Sequence, residues 1–142
     1  MNIFLTGASG LVGSVFAKAA TRRGHRVTGV VGSYAGELEG VAVKRPLDLL
    51  DEAATTTAVL EAFPDAIVNC AAVSVPEQCE LDPARAQAMN VALPATLARL
   101  AHHVGARFIH LPLVKSGNAT GMPPSATDSS DRAVTAIQVA VS

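Results

Sequence analysis

Three glycines at equal spacing follow a short apolar segment near the start of the chain, in the stretch FLTGASGLVGS. Gly7, Gly10 and Gly13 separate a strand-like run that ends at Thr6 from helix-like spacing that begins at Leu11. A helix N-terminus presents unpaired N–H groups and a partial positive charge, which suit a phosphate. Glycine permits a tight turn at position 7, close approach of a pyrophosphate at position 10 and close helix packing at position 13. The pattern predicts a dinucleotide site, and the alternative is a purely structural turn.

Side chains that act in nucleophilic or metal-assisted catalysis are few and scattered. The four histidines do not cluster, so we expect them at the surface or in satisfied core positions. Cys70 and Cys79 form no Cys-x-x-Cys motif, and no metal site is expected. Cys70 ends an apolar run and is expected to be a buried free thiol, with a disulfide to Cys79 as the alternative. No base accompanies Cys79 in the sequence, and no catalytic residue is assigned.

The order of apolar segments indicates which elements position the glycines. Near-continuous apolar strands alternate with helical spacing, which indicates a parallel sheet covered on both faces. Right-handed crossovers then favour an α/β fold with a doubly wound parallel sheet of the Rossmann type. The predicted strands are 2–6, 25–31, a segment within 40–49, 66–72 and 106–111, and the predicted helices are 11–24, 51–63 and about 83–104.

Composition and charge exclude several classes of protein. The net charge of −1 gives no electrostatic reason to bind nucleic acid or an anionic membrane, so neither partner is expected. No apolar run reaches the roughly 18 residues of a membrane span. The first residues have the pattern of a strand rather than of a secretion signal. A chain with so few cysteines is expected in the reducing cytoplasm.

The composition changes after Leu111. Residues 112–142 mix Pro, Ser, Thr and Gly without a sustained period. Such a composition is typical of loop or disordered chain, with at most one short element over about 132–141. We therefore divide the chain into a dinucleotide-binding domain, 1–111, and an atypical Pro/Ser/Thr-rich tail, 112–142, and expect the sheet to stop after its fifth strand.

The first 111 residues resemble the extended branch of the short-chain dehydrogenase/reductase superfamily, most closely the dTDP-4-dehydrorhamnose reductase-like family. The resemblance rests on the Thr-Gly-x-x-Gly-x-x-Gly motif that begins at Thr6 and on the Asp-Leu pair at 48–49. It continues through the Asn-x-Ala-Ala sequence that begins at Asn69, through Asn90 in the next helix, and into the fifth strand. This resemblance implies a nicotinamide dinucleotide cofactor, with the Asp-Leu pair beside the adenine.

The motif and the resemblance together give a set of candidate cofactor-binding residues. Its members belong to the glycine loop, to the ends of predicted strands or to the helix after the fourth strand. The set is Thr6, Gly7, Ser9, Gly10, Leu11, Val12, Gly13, Ser33, Asp48, Leu49, Ala71, Ala72 and Asn90. Plainer interpretations stay open: Asp48 starts a turn, the two alanines are small packing residues, and Asn90 is a solvated helix position.

The end of the second strand indicates which nicotinamide cofactor the chain prefers. An acid at that position binds the ribose 2′-hydroxyl of NAD. The strand instead runs towards Ser33, with no acid before Glu37. Ser33 would donate a hydrogen bond to a 2′-phosphate, and Arg22, Arg23 or Arg45 would supply charge if the fold brings one of them near. We therefore favour NADP(H), with NAD(H) as the alternative.

The resemblance also implies catalytic groups, and these do not occur at the expected places. The family carries a Ser or Thr after the fifth strand and then Tyr-x-x-x-Lys, which exchanges a proton with the substrate oxygen. Here the fifth strand runs into 112–114 with the sequence Pro-Leu-Val, and the one tyrosine of the chain is Tyr34. Lys115 has no tyrosine four residues before it. We expect a chain that binds cofactor without turnover.

Three functions are compatible with these residues. We favour an NADP(H)-binding oxidoreductase-family protein whose family activity is reduction of a 4-keto nucleotide-sugar, a substrate implied by the resemblance alone. The second is a non-catalytic NAD(P)-binding regulatory or accessory subunit, completed by a protein partner that covers the incomplete sheet. The third is a fragment without a function of its own, whose fifth strand is an exposed edge.

Overall fold

A computed structural model describes residues 1–32, 36–71 and 81–111, and the sequence features at Ser33, Tyr34, Ala72, Cys79 and 112–142 lie outside these ranges. Strands alternate with helices as the sequence predicts. The strands are β1 (Asn2–Thr6), β2 (Arg26–Val31), β3 (Val43–Pro46), β4 (Ala66–Asn69) and β5 (Arg107–His110). The helices are α1 (Leu11–Arg22), α2 (Glu52–Ala62), α3 (Pro83–Gln87), a π-helical segment (Ala88–Ala92) and α4 (Leu93–Val104).

The five strands form one parallel sheet in the order β3-β2-β1-β4-β5. β1 lies at its centre, where Ile3 pairs with Val27 of β2 on one side and with Ala66 of β4 on the other. The chain first builds outwards to β3 and then returns across β1 to β4. The predicted doubly wound parallel sheet is confirmed, and its strand order reverses beside β1, where such sheets bind ligands.

The sheet separates two hydrophobic layers because its central strands are buried on both faces. Ile3 and Leu5 of β1 pack with Phe16 of α1, while Phe4 points the other way and packs with Val59 of α2 and residues of α4. Burial of each such side chain contributes about 1.5–3 kcal/mol. α1 therefore covers one face of the sheet, and α2 and α4 cover the other.

The helix that follows β4 differs from the continuous helix predicted over about 83–104. It contains a π-helical segment, Ala88–Ala92, between α3 and α4. Pro94 explains the difference, because it has no N–H to donate to the carbonyl of Asn90 and its ring crowds that carbonyl. The backbone takes the wider π spacing just before the proline. β4 is also shorter than predicted, since it ends at Asn69.

Loop and cap residues end the elements in ordinary ways. Asp51 caps α2 by accepting a hydrogen bond from the N–H of Ala54 at 3.1 Å. Gly105, with φ +73°, ends α4 in the left-handed conformation.

Among the described residues, no helix has the length and apolar content that a membrane span requires.

The packing of α1 against the loop before it gives a first prediction. A Cβ atom on Gly13 would lie 2.1 Å from the carbonyl oxygen of Gly7, whereas a Cβ on Gly32 would meet nothing within 4 Å. We expect Gly13→Ala to lower the free energy of unfolding by at least about 2 kcal/mol. Gly32→Ala, the matched control, should change it by less than about 0.5 kcal/mol. Urea unfolding measures both, and equal effects would contradict this account of the packing.

Candidate functional site

The loop between β1 and α1, residues 7–10, lies against the start of the segment that follows β4. Gly7 has φ +67°, and a Cβ atom on it would lie 2.6 Å from the backbone carbonyl carbon of Cys70. Gly13 is equally restricted, by the carbonyl oxygen of Gly7. Contacts within the protein therefore require glycine at positions 7 and 13.

Gly10 differs from the other two glycines of the motif. Its φ of −77° is open to any residue, and a Cβ atom there would meet the carbonyl oxygen of Gly7 at 3.3 Å and nothing closer. Its N–H donates to that same carbonyl at 3.0 Å, and its own carbonyl accepts from the N–H of Ser14 at 2.9 Å. Gly10 also lines an open cleft. A side chain at position 10 would thus press on the carbonyl oxygen of Gly7 and would otherwise extend into the cleft.

The N-terminus of α1 borders the same cleft and carries no side-chain cap. Gly10 is its N-cap residue, and the first turn contains no acid. The first helical hydrogen bond is donated by Ser14, so the N–H groups of Leu11, Val12 and Gly13 have no partner within the helix. Among the described residues, neither a side-chain cap nor an acid in the first turn neutralises the partial positive charge of this helix end. The side chain of Leu11 is exposed and Val12 packs partly against the core, so these residues would act through their N–H groups.

The cleft has a volume of about 750 Å³, within the usual range for small-molecule sites. It lies above the carboxyl ends of β1, β2, β3 and β4, where the strand order reverses. Its described lining residues are Gly7, Ser9, Gly10, Val30, Val31, Gly32, Pro46, Leu47, Asp48, Leu49, Cys70, Ala71, Arg85 and Met89.

The fold brings together one part of the predicted site. The predicted residues that line the cleft are Gly7, Ser9, Gly10, Asp48, Leu49 and Ala71. Thr6, Leu11, Val12, Gly13 and Asn90 lie outside its lining. Ser33 and Ala72 lie outside the described residues. Asn90 is exposed within the π-helical segment, one residue after Met89, which does line the cleft.

Asp48 has two roles in the structure. One carboxylate oxygen, Oδ1, accepts a hydrogen bond from the N–H of Leu50 at 3.0 Å, and the backbone carbonyl accepts from Asp51 at 3.0 Å. The residue therefore starts a turn, as its plainer interpretation holds. The same turn places Asp48 and Leu49 in the wall of the cleft, beside the end of β3. The two interpretations do not exclude each other.

Thr6 lies beneath the cleft and holds its floor together. Its hydroxyl donates to Oδ1 of Asn69 at 2.5 Å and accepts from the N–H groups of Cys70 and Ala71 at 3.2 and 3.3 Å. Both Thr6 and Asn69 are fully buried. Because Oδ1 of Asn69 faces these donors, its Nδ2 is left to donate to Nδ1 of His110 at 3.1 Å. This network ties together the carboxyl ends of β1, β4 and β5.

Similarity to known proteins is extensive over the same part of the chain. Residues 1–113 match the family described as RmlD substrate binding domain. The chain belongs to this family. It is 34% identical to dTDP-4-dehydrorhamnose reductase of Mycolicibacterium smegmatis over 109 residues, which cover 77% of this chain and 29% of the relative. The predicted membership of the dTDP-4-dehydrorhamnose reductase-like family is confirmed.

Two further proteins show the range of the similarity to this RmlD family chain. Methionine adenosyltransferase 2 subunit beta of Xenopus laevis is 33% identical over 111 residues, which cover 75% of this chain and 30% of the relative. The crystal structure of a hypothetical dTDP-4-dehydrorhamnose reductase from Sulfolobus tokodaii superposes with a TM-score of 0.70 at 22% identity, covering 98% of this chain and 51% of that one. The chain thus spans less than a third of the length of the Mycolicibacterium and Xenopus relatives. It spans about half of the length of the solved Sulfolobus structure.

Sequence reasoning missed several cleft residues. Arg85 and Met89 reach the cleft from the helix after β4, and their spacing of four was the available signal. Cys70 lines the cleft as a half-buried free thiol. Burial raises the pKa of the Cys70 thiol to about 12, which keeps it neutral and poorly nucleophilic. Within the described ranges, no three His, Cys, Asp or Glu side chains form a metal-binding group.

The three arginines that the sequence suggests as partners of a 2′-phosphate are not among the described lining residues of the cleft. Arg22 and Arg23 end α1, a 12-residue helix about 18 Å long whose other end borders the cleft. Arg45 forms an ion pair with Glu61, with Nη1 and Oε2 at 2.6 Å, and does not line the cleft. The described cleft therefore does not meet the condition under which one of these three arginines would supply charge.

The buried network beneath the cleft generates a second prediction. Thr6→Val keeps the shape of the side chain but removes the hydroxyl shared by Asn69, Cys70 and Ala71. We expect the free energy of unfolding to fall by about 1–3 kcal/mol, since buried polar groups lose a partner. Thr57→Val, on the exposed face of α2, is the matched control and should stay within about 0.5 kcal/mol. Equal losses in the two variants would show that the network does not stabilise the floor of the cleft.

Proposed function

We propose that this chain binds a nicotinamide dinucleotide in the cleft, as the cofactor-binding part of a reductase similar to dTDP-4-dehydrorhamnose reductase. The observation that carries the proposal is Gly10. It lines the cleft at the uncapped end of α1, where its φ of −77° does not require glycine and a Cβ atom would have one close neighbour, the carbonyl oxygen of Gly7 at 3.3 Å. A pyrophosphate fits this cradle, because the N–H groups of the first turn would donate to it and the helix dipole would favour its charge.

The other end of the cleft suits the adenosine half of such a cofactor. Leu47, Leu49 and Met89 form an apolar wall that packs on the second core layer, and a planar base would lie against it. Asp48 lines the same part of the cleft, and its Oδ1 oxygen is the one held in the turn by the N–H of Leu50. In this arrangement the phosphates lie at the glycine loop and the base lies at the end of β3. It agrees with the expectation from the resemblance that the Asp-Leu pair lies beside the adenine.

We favour NADP(H) over NAD(H). An acid at the end of β2 would repel a 2′-phosphate. The sequence places none there, since Val31 is followed by Gly32 and Ser33 and the next acid is Glu37. A cytoplasmic location completes the proposal, and the free thiol of Cys70 is consistent with a reducing compartment.

The proposed family activity is reduction of a 4-keto nucleotide-sugar. The dinucleotide supplies a hydride when it is bound, and the substrate oxygen then needs a proton. The sequence contains no Tyr-x-x-x-Lys to provide it, and the described cleft has no ionisable side chains other than Asp48, Cys70 and Arg85. Burial makes the Cys70 thiol hold its proton tightly, so it is not a ready proton donor to the substrate oxygen. We therefore propose cofactor binding without turnover by this chain alone.

A titration of the full chain with NADPH tests the proposal. We expect saturable binding that falls by at least about tenfold in Gly10→Val, because the valine side chain would occupy the place of the pyrophosphate. Ser14→Val puts the same side chain one turn further along α1, outside the cleft lining, and should leave the affinity unchanged. Absence of binding by wild-type chain that unfolds in a sharp thermal transition would overturn the proposed function.

The second candidate is a non-catalytic accessory subunit. Two observations favour it: one relative is named as the beta subunit of another enzyme, and in the described sheet β5 has a neighbour on one side only. A strand with an open edge can pair with another chain. Light scattering of the purified chain separates the two candidates, since a monodisperse monomer that binds NADPH would count against a subunit that requires a partner.

A further inference from the structure

Arg85 lies in the wall of the cleft that faces the glycine loop from the other side of the sheet. It belongs to α3, whose N-terminus is capped by Asp82 accepting from the backbone N–H of Arg85 at 3.0 Å. Met89 follows four residues later and lines the same cleft. Met89 packs on the core layer of α2 and α4, whereas the glycine loop leads into α1 on the opposite face. The cleft therefore separates Arg85 from Gly10.

The charge of Arg85 is not used by the described protein. Three other cationic side chains, Lys18, Arg45 and Arg99, form ion pairs with glutamates. The guanidinium of Arg85 has no such partner among residues 1–32, 36–71 and 81–111, and its side chain is exposed. It is also the one cationic residue among the described lining residues, and Asp48 is the one acidic residue.

A dinucleotide brings at least two negative charges into this cleft. The glycine loop offers N–H groups and a partial helix charge, which is less than one elementary charge. Asp48 adds a negative charge to the same space. A guanidinium presents a planar fork of donors that matches two phosphate oxygens, so it is the side chain best suited to balance that charge.

We propose that Arg85 is a further binding residue for the dinucleotide, whose guanidinium donates hydrogen bonds to a phosphate of the bound dinucleotide from the wall opposite Gly10. The inference rests on the proposed function and adds the charged contact that the glycine loop lacks. The phosphate has two possible sources. The pyrophosphate is common to NADH and NADPH, whereas the 2′-phosphate belongs to NADPH alone.

Binding of NADPH and NADH to the full chain and its variants tests the inference. We expect Arg85→Gln to weaken NADPH binding about tenfold and to make the affinity less dependent on salt. Arg85→Lys keeps the charge but loses the planar fork of donors, so it should weaken binding less than Arg85→Gln does. Arg107→Gln removes the same charge from the first residue of β5, at the sheet edge opposite the cleft, and should bind as the wild type does. An equal loss for NADH would identify the pyrophosphate as the contact, and a loss for NADPH alone the 2′-phosphate.

Three results would overturn the inference, and they are distinguishable. If Arg85→Gln binds both dinucleotides as the wild type does, Arg85 makes no phosphate contact while the proposed function stands. If the folded wild-type chain binds neither dinucleotide, the proposed function and the role of Arg85 both fail. A loss that Arg107→Gln reproduces would mean that net charge, rather than this contact, sets the affinity.

Discussion

The structure depends on the close approach of α1 to the end of β1. The carbonyl oxygen of Gly7 occupies the space where a Cβ atom of Gly13 would lie, so helix and loop meet backbone to backbone. This contact fixes the start of α1 just above the sheet and aims its unpaired N–H groups at the cleft. It also presses the loop against the backbone that follows β4, because Gly7 in turn has no room for a Cβ beside Cys70. One steric constraint thus joins three elements at the place where a ligand would bind.

The two core layers explain why the cleft lies where it does. β1 is buried on both faces, and the connections that leave β1 and its neighbour β4 go to opposite faces of the sheet, β1 into α1 on one face and β4 towards α4 on the other. Their divergence opens a crevice above the carboxyl ends of the strands. The buried hydrogen bonds of Thr6 and Asn69 close the floor of that crevice without leaving polar atoms unpaired among the described residues. Apolar packing therefore builds the cleft, and polar contacts hold its base.

The sequence predicted the sheet, and six of the fourteen described lining residues of the cleft belong to the predicted set, because both follow from local patterns. Apolar runs gave the strands, and glycine spacing gave the loop. The positions of Arg22 and Arg45 could not be predicted, since each depends on the direction of its element and on a distant partner, Glu61 in the case of Arg45. Arg85 was missed for a related reason, because the sequence pattern does not say which face of its helix meets the cleft. Thr6 matched a motif, but the sequence could not show that its hydroxyl makes a buried hydrogen bond to Asn69, 63 positions further along the chain.

The π-helical segment, Ala88–Ala92, sets the angle about the helix axis between the side chains that precede it and those that follow it. A π turn holds one more residue than an α turn, which rotates the residues before it by about 100° relative to those after it. Leu93 and Leu97 pack into the core beyond the segment, while Arg85 and Met89 line the cleft before it. A straight α-helix with the same leucines would turn Arg85 away from that cleft. Pro94 therefore allows one helix to contribute side chains to two surfaces, the core and the cleft, and it affects the direction of Arg85, nine residues or about two and a half turns earlier.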